Sequence, residues 1–283
     1  MSAPLYERIA QFYDASSGLW EGIWGEHMHH GYYGRGGGYR LDRRQAQIDL
    51  IEELLHWAKV DSPESIIDSG CGIGGSTLYL AQKYNAKAVG VTLSPFQAAR
   101  ATERAKGANL GSRVSFQVAD AQDLPYGDNS FDLVWSLESG EHMPDKRKFL
   151  SECYRVLKPG GKLIFVTWCH RATNSVAGEL TAAEKRHLQE IYRVYCLPYV
   201  ISLPEYEDIA SECGFTDIIS DDWSTAVAPF WDRVITSAID LKAIGGLLNS
   251  GWTTVEAALS LGLMRDGYDS GLIRFGLLSG NKG

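Results

Sequence analysis

Two short stretches of this chain combine residue types that chemistry can use. The first is Asp68-Ser69-Gly70-Cys71-Gly72-Ile73-Gly74-Gly75, an acid followed by alternating glycines. Such a run lets a ligand lie against bare backbone, because glycine puts no Cβ in its path, and a helix opening behind it offers unpaired N–H groups. The acid stands inside the turn, whereas a dinucleotide site places its diagnostic acid about twenty residues later; the GxxxxGK[ST] phosphate loop is absent, since Lys83 is too far on. The second stretch is Glu138-Ser139-Gly140-Glu141-His142. One helical turn there would stack Glu138 and His142 on one face, where a carboxylate orients an imidazole as a base titrating near neutral pH. A plain strand–helix turn and a solvated cap pair are the bland alternatives.

Both stretches need a scaffold that brings them to one edge. Residues 65–69, 88–92, 114–119, 131–137 and 162–168 read as strands, and 76–84, 95–107 and 145–157 as helices between them, with a turn at Pro159-Gly160-Gly161. Strand–helix alternation with short connections implies an α/β fold, its parallel sheet covered on both faces and its ligands outside the carboxyl ends of the strands. Further helices are expected over 45–58, 181–195 and 204–213, and strands over 216–220 and 272–278.

The expected organisation is one structural domain in three parts: a helical lid (1–60), a ligand-binding core (61–170), and cap helices with the last two strands (171–283). The lid would use Tyr13, His29, His30 and Tyr32. The cap would use Trp223, Phe230, Trp231, Leu247, Leu248, Trp252 and Leu259, for which core packing is the competing account. His29, His30 and His170 compete with His142 as the base, while His27, His56 and His187 look structural or solvent-facing.

Composition narrows the partners. With 27 Lys and Arg against 35 Asp and Glu, the 283-residue chain carries a net charge of −8, which argues against general nucleic-acid binding. Five cysteines without a CxxC predict neither a disulfide framework nor a metal site, and fit a reducing compartment. The first fifteen residues lack an apolar h-region, so no secretory signal is expected. The longest uncharged run, 69–82, is roughly 14 residues against the ~18 of a membrane span.

On its motifs the chain resembles the class I S-adenosylmethionine-dependent methyltransferases. That resemblance implies a Rossmann-like fold with a mostly parallel seven-stranded sheet, S-adenosyl-L-methionine as cofactor and S-adenosyl-L-homocysteine as product. It places Asp68 near the methionine amine, with Gly70 and Gly72 against the cofactor's backbone. Val91-Thr92-Leu93-Ser94-Pro95-Phe96-Gln97 looks like the lipid and small-molecule branch, which puts Thr92, Leu93 and Gln97 at the ribose. Ala119-Asp120-Ala121 resembles the adenine segment, with Asp120 accepting from the exocyclic amine. Tyr13, Ser69 and Leu137 complete the implied cofactor set.

A closer resemblance is to the γ-tocopherol C-methyltransferases of cyanobacterial type, which lack a plastid transit peptide. It is carried nearly end to end by Trp24-Gly25-Glu26-His27-Met28-His29-His30-Gly31, Trp135 to Pro144, Val166-Thr167-Trp168-Cys169-His170-Arg171, Ala228-Pro229-Phe230-Trp231 and Gly271 to Gly276. Ser69 departs from the pattern, which usually has an aliphatic residue there, and so bears on cofactor affinity or local packing. The implied reaction is methylation of a chromanol carbon ortho to the phenol, γ- to α- and δ- to β-tocopherol, in vitamin E biosynthesis. Glu138 or His142 would take the phenol proton and Glu141 would steady the positive methyl region. The implied partner is a lipophilic phenol. The implied location is cytoplasmic, with loose peripheral contact at a thylakoid or plasma membrane. On residues alone the acceptor is either a phenolic carbon or the nitrogen of a small or indole-alkaloid-like amine, since the Glu/His pair also resembles the coclaurine-type N-methyltransferases.

Overall fold

Runs of aliphatic residues without polar alternation form strands buried on both faces. Ile66 and Ile67 in β1 (Ser65–Ser69) and Leu133, Val134 and Trp135 in β4 (Phe131–Leu137) are fully buried. A computed structural model describes residues 4–238 and 254–283. Its single sheet also contains β2 (Lys87–Thr92), β3 (Val114–Val118), β5 (Leu157–His170), β6 (Phe215–Asp222) and β7 (Ile273–Lys282). The strand order is β3-β2-β1-β4-β5-β7-β6; the first five are parallel, and β7 runs antiparallel between β5 and β6. The Rossmann-like α/β expectation is therefore met.

This order places the two chemical stretches side by side. Successive strands wind outward from β1 in one direction and from β4 in the other, so β1 and β4 flank the switch point where such sheets open a crevice. Asp68 on β1 lies opposite Trp135 on β4, and each strand then leads directly into its motif. Helices α3 (Gly75–Tyr84), α4 (Pro95–Gly107) and α5 (Lys146–Val156) alternate with the strands as expected. Ser94 caps α4 by accepting from the Gln97 N–H at 3.0 Å, with Pro95 opening the helix. Pro159-Gly160-Gly161 turns as expected, but as an irregularity inside β5 rather than ahead of it. The β4–β5 register steps from Phe131↔Leu157 to Leu133↔Lys162, and Gly160 takes φ 76°.

The remaining α-helices among the described residues are α1 (Leu5–Trp24), α2 (Arg43–Trp57), α6 (Ala182–Val194), α7 (Leu203–Glu212), the single turn α8 (Ser224–Val227), α9 (Pro229–Ala238) and α10 (Thr254–Asp269). Two expectations change here. Trp223, Phe230 and Trp231 are buried in the same core cluster as Leu50, Ile51 and Leu54 of α2. The competing account holds for these three: they pack on the sheet, because an aromatic side chain gains more from close packing there than from facing a cavity. The α2 helix likewise contributes its apolar face to that core. Leu247, Leu248, Trp252 and the Leu259 side chain lie outside the described residues.

Candidate active site

The glycine bend after β1 is shaped first by its neighbours. Gly70 has φ 93°, and a Cβ there would come within 2.2 Å of the Ser139 Cβ. Gly72, at φ 52°, would meet only the Met28 Sδ at 3.9 Å, so this is the glycine that leaves open space for a ligand. Asp68 is buried beneath the bend and accepts from Thr77 Oγ1 at 2.5 Å. Burial pushes its carboxyl up to about 7, against the pull of the Thr77 hydrogen bonds. Ser139 Oγ donates to the Ser69 carbonyl at 2.7 Å and fastens the two strand ends together.

Along the β2 side, Thr92 Oγ1 donates to Gln97 Oε1 at 2.7 Å, and Gln97 Nε2 donates to Ser17 Oγ of α1 at 3.0 Å. Ser94 Oγ donates to Asp14, a second tie to α1. Asp120 Oδ1 accepts from the Gln122 N–H at 2.9 Å.

The turn after β4 departs from the sequence expectation. Glu138 takes φ 54°, and residues Gly140–His142 form a 3₁₀ turn, so no α-helical stacking of Glu138 on His142 arises. Glu138 pairs instead with His30: Oε1 accepts from the His30 N–H at 2.7 Å, and Oε2 accepts from His30 Nδ1 at 2.7 Å and from Trp168 Nε1 at 3.2 Å. Burial acts to raise the Glu138 carboxyl, but the attraction and hydrogen bonds of His30 hold it below the usual range. His142 takes a hydrogen bond from the Tyr13 hydroxyl at 2.6 Å. Burial, followed by the charge of Lys146, pushes its imidazole down to about 3, which makes it neutral across the working pH range. The Tyr13 phenol is driven far up by burial and by the charges of Glu141 and Glu138, so it remains a donor.

Glu141 holds the third state. Thr167 Oγ1 donates to its Oε2 at 2.8 Å, while burial and the neighbouring Glu138 charge raise the carboxyl to about 7. Behind the turn, buried Lys146 donates to the carbonyls of Gly140 at 2.9 Å and Glu141 at 3.2 Å. Two carboxylates three residues apart are thus set to opposite habits, one ionised and one ready to exchange a proton near neutrality.

The ends of β1, β2 and β4 face one cavity, whose empty space, counted out to the open solvent, is about 1230 Å³. Of the residues singled out from sequence, Tyr13, Asp68, Gly70, Gly72, Thr92, Leu93, Gln97, Asp120, Ala121, Leu137, Glu138, Glu141 and His142 line it. Ser69 and His170 do not, and both assignments are corrected. Strand side chains alternate between faces, so with Asp68 toward the cavity the fully buried Ser69 side chain points away from it. At His170 the chain bridges to Ser202, and the ring binds the Arg171 carbonyl at 2.8 Å, with Nε2 3.8 Å from Glu205. Tyr32 packs on Trp223 at 5.2 Å and His30 sits in the aromatic core, so of the expected lid group only Tyr13 and His29 line the cavity.

Sequence reasoning missed the apolar wall: Ile9, Phe12, Trp20 and Trp24 of α1, with Trp168 and Tyr195. Their signal was present in the helical spacing of the α1 residues. The wall also has a sign. Asp68, Asp120, Glu138 and Glu141 all line the cavity, and among the described lining residues there is no Lys or Arg. A site of this kind suits a cationic ligand that carries apolar and hydrogen-bonding parts, and S-adenosylmethionine has that chemistry.

A family model described as a methyltransferase domain matches residues 67–165. Over 98% of its length the chain is 49% identical to a probable chloroplastic tocopherol O-methyltransferase of Oryza sativa subsp. japonica, covering 78% of that protein. It is 46% identical, again over 98% of its length, to the chloroplastic tocopherol O-methyltransferase of Arabidopsis thaliana, covering 82% of it. The chain belongs to the tocopherol methyltransferase family. It is an S-adenosylmethionine-dependent methyltransferase, with Asp68, Gly72, Thr92, Gln97 and Asp120 available to hold the cofactor. Among solved structures, a sarcosine dimethylglycine methyltransferase from Galdieria sulphuraria shares this family member's fold, with a TM-score of 0.81 at 23% identity over 95% of this chain and 99% of that one.

Proposed function

We propose that this enzyme methylates a tocopherol-type chromanol at the ring carbon ortho to the phenol, converting γ- to α- and δ- to β-tocopherol. The observation that carries the reading is Glu141, a buried carboxylate raised to about 7 in a cavity with an apolar wall. A phenol with a pKa of about 10 is barely ionised at neutral pH, and its ortho carbon is nucleophilic mainly as the phenolate. Glu141 takes the hydroxyl proton, which transfers electron density to the ring. This replaces the sequence-based preference for Glu138 or His142 as the base, since one stays ionised in its pair with His30 and the other is a weak base held by Tyr13.

The cofactor supplies an activated methyl on a sulfonium. Glu138, kept negative by His30 and Trp168, stabilises positive charge on the donor side of the cavity. Tyr13 bonded to His142 draws α1 down as a lid and excludes water. When bound, the cofactor would supply its methyl group to the ring carbon with the thioether as leaving group; the ring hydrogen would leave as a proton to water when aromaticity returns, and Glu141 would hand its proton back to the phenolate oxygen. The apolar side chains of α1 and Trp168 receive the tail. Such a substrate resides in a bilayer, so we place the enzyme in loose contact with a membrane surface; among the described residues no helix is long and apolar enough to cross one.

The two plant relatives are named O-methyltransferases, and the same base would serve attack through oxygen. Incubation with labelled S-adenosylmethionine and γ-tocopherol, a tail-less chromanol or an indole amine separates the outcomes. The expected result is a product that has lost a ring C–H signal and kept its free phenol. A methoxy product would move the reading to oxygen, and labelling of the amine alone would overturn it.

A further inference from the structure

His29 lies on the cavity wall and has no role in the chemistry above, yet it is held as firmly as the residues that do. Gln47 is fully buried, and its side-chain amide donates to the carbonyls of His27 at 2.6 Å and His29 at 2.9 Å, which fixes the backbone on both sides of Met28. His29 is 5% exposed, and its Nδ1 lies 2.7 Å from the His30 carbonyl. A carbonyl has no hydrogen to give, so Nδ1 carries the proton and Nε2 is left with a bare lone pair. That Nε2 is buried and has no hydrogen-bond partner among the described residues. A buried acceptor without a partner costs stability unless a ligand completes it.

The surroundings indicate what kind of ligand. His29 sits between the two motifs: its neighbour Met28 reaches the Gly72 bend, and His29 itself feels the charge of Glu138. The cavity's four carboxyl groups, of which Glu138 is held ionised, with no Lys or Arg among its described lining residues, favour a cation. The donor carries two cationic groups, a sulfonium and the α-ammonium of its methionine part, and only the ammonium has N–H bonds to give.

We propose that His29 Nε2 accepts a hydrogen bond from the α-ammonium of S-adenosylmethionine and so seats the methionine end of the donor between the glycine bend and the β4 turn. The assignment depends on cofactor use and not on the identity of the methyl acceptor. Burial, reinforced by His27, pushes the His29 imidazole down to about 3, so it stays an uncharged acceptor at working pH and is a poor proton-transfer base.

The test compares binding of S-adenosylhomocysteine with that of its analogue lacking the amino group, by calorimetry. His29→Phe preserves a ring of similar size without the acceptor. It is expected to weaken S-adenosylhomocysteine about tenfold while leaving the desamino analogue unchanged. His29→Gln returns an acceptor at similar reach and should recover most of the loss. Equal weakening of both ligands, or of neither, overturns the proposal; an effect confined to the KM of the phenolic substrate would reassign His29 to that substrate's hydroxyl and overturn it too. A measurement on the unmutated protein guards against a variant that does not fold. In histidine-labelled protein the His29 Nε2 nitrogen resonance should move upfield with S-adenosylhomocysteine and stay in place with the desamino analogue. The same shift with both ligands would refute the contact.

Discussion

The bend after β1 and the turn after β4 leave the sheet beside each other and face the same cavity. The first is built mainly from residues close in the chain: Asp68 bonds to Thr77, nine positions on, and the glycines take positive φ where the strand must fold into a helix, with Ser139 as its contact from the β4 side. The second is built from distant ones: Glu138 is held by His30, 108 positions away, and His142 by Tyr13, 129 positions away. A local motif can create a shape. Setting two nearby carboxyls to different protonation states takes charges and dipoles brought from elsewhere in the fold.

Breaking the β4 side should have the largest effect. Glu141→Gln is expected to lower kcat on the order of 10²–10⁴-fold with little change in cofactor affinity. In the unaltered enzyme kcat should rise with pH through about 7 as Glu141 loses its proton, and steady-state rates between pH 5.5 and 8.5 check both statements. On the β1 side the contrast is between two glycines. Gly70→Ala combines φ 93° with a 2.2 Å clash and should destabilise by on the order of 3 kcal/mol. Gly72→Ala meets open space and should cost about 1 kcal/mol from its backbone angle alone. Denaturant unfolding of the two variants measures the difference, and equal losses would show that the bend is not shaped by its contact with Ser139.

A subtler test joins the two regions through pH. Asp68 and Glu141 both titrate at about 7 in the folded chain, above their ordinary values of 3.8 and 4.5. A carboxyl raised in this way contributes stability that is complete below its unfolded pKa and lost as pH rises through its folded one. The melting temperature should therefore carry a falling component between about pH 4 and 7 that Asp68→Asn and Glu141→Gln each reduce. A smaller change is expected for Tyr13→Phe, which removes one hydrogen bond to His142: a loss of roughly tenfold in kcat/KM, with cofactor binding less affected. His170→Gln should change turnover least, by less than about twofold, because the ring lies outside the cavity wall; a large loss of activity would return His170 to the site.

Much of the cofactor side was legible because its signals are short-range. The run from Asp68 to Gly75, the Thr92-Leu93-Ser94-Pro95 strand end with its cap, and Asp120 after β3 each announce a strand ending in a turn, and the parallel sheet then gathers those ends. The Glu138–His142 stretch was legible as to residue type and place but not as to pairing. Its spacing suits an α-helical turn, whereas Gly140, whose Cβ would fall 2.3 Å from the Phe165 ring, packs into the sheet and the chain tightens to 3₁₀. Trp231 and Trp168 are chemically alike, lie in stretches that carried the family resemblance and belong to one core cluster, yet only Trp168 also lines the cavity.

The amino-acid sequence by itself determined the α/β alternation, the cofactor bend and the identities of the two acidic residues after β4, because hydrophobic period, glycine torsional freedom and capping act within a few residues. Only the tertiary structure decided which proton each acid keeps, that His170 lies off the cavity wall, and that α1 supplies the apolar wall. Those outcomes depend on burial and on partners more than a hundred residues away, such as His30 for Glu138 and Tyr13 for His142, and the strength of an electrostatic interaction is set by distance in space and by the exclusion of water.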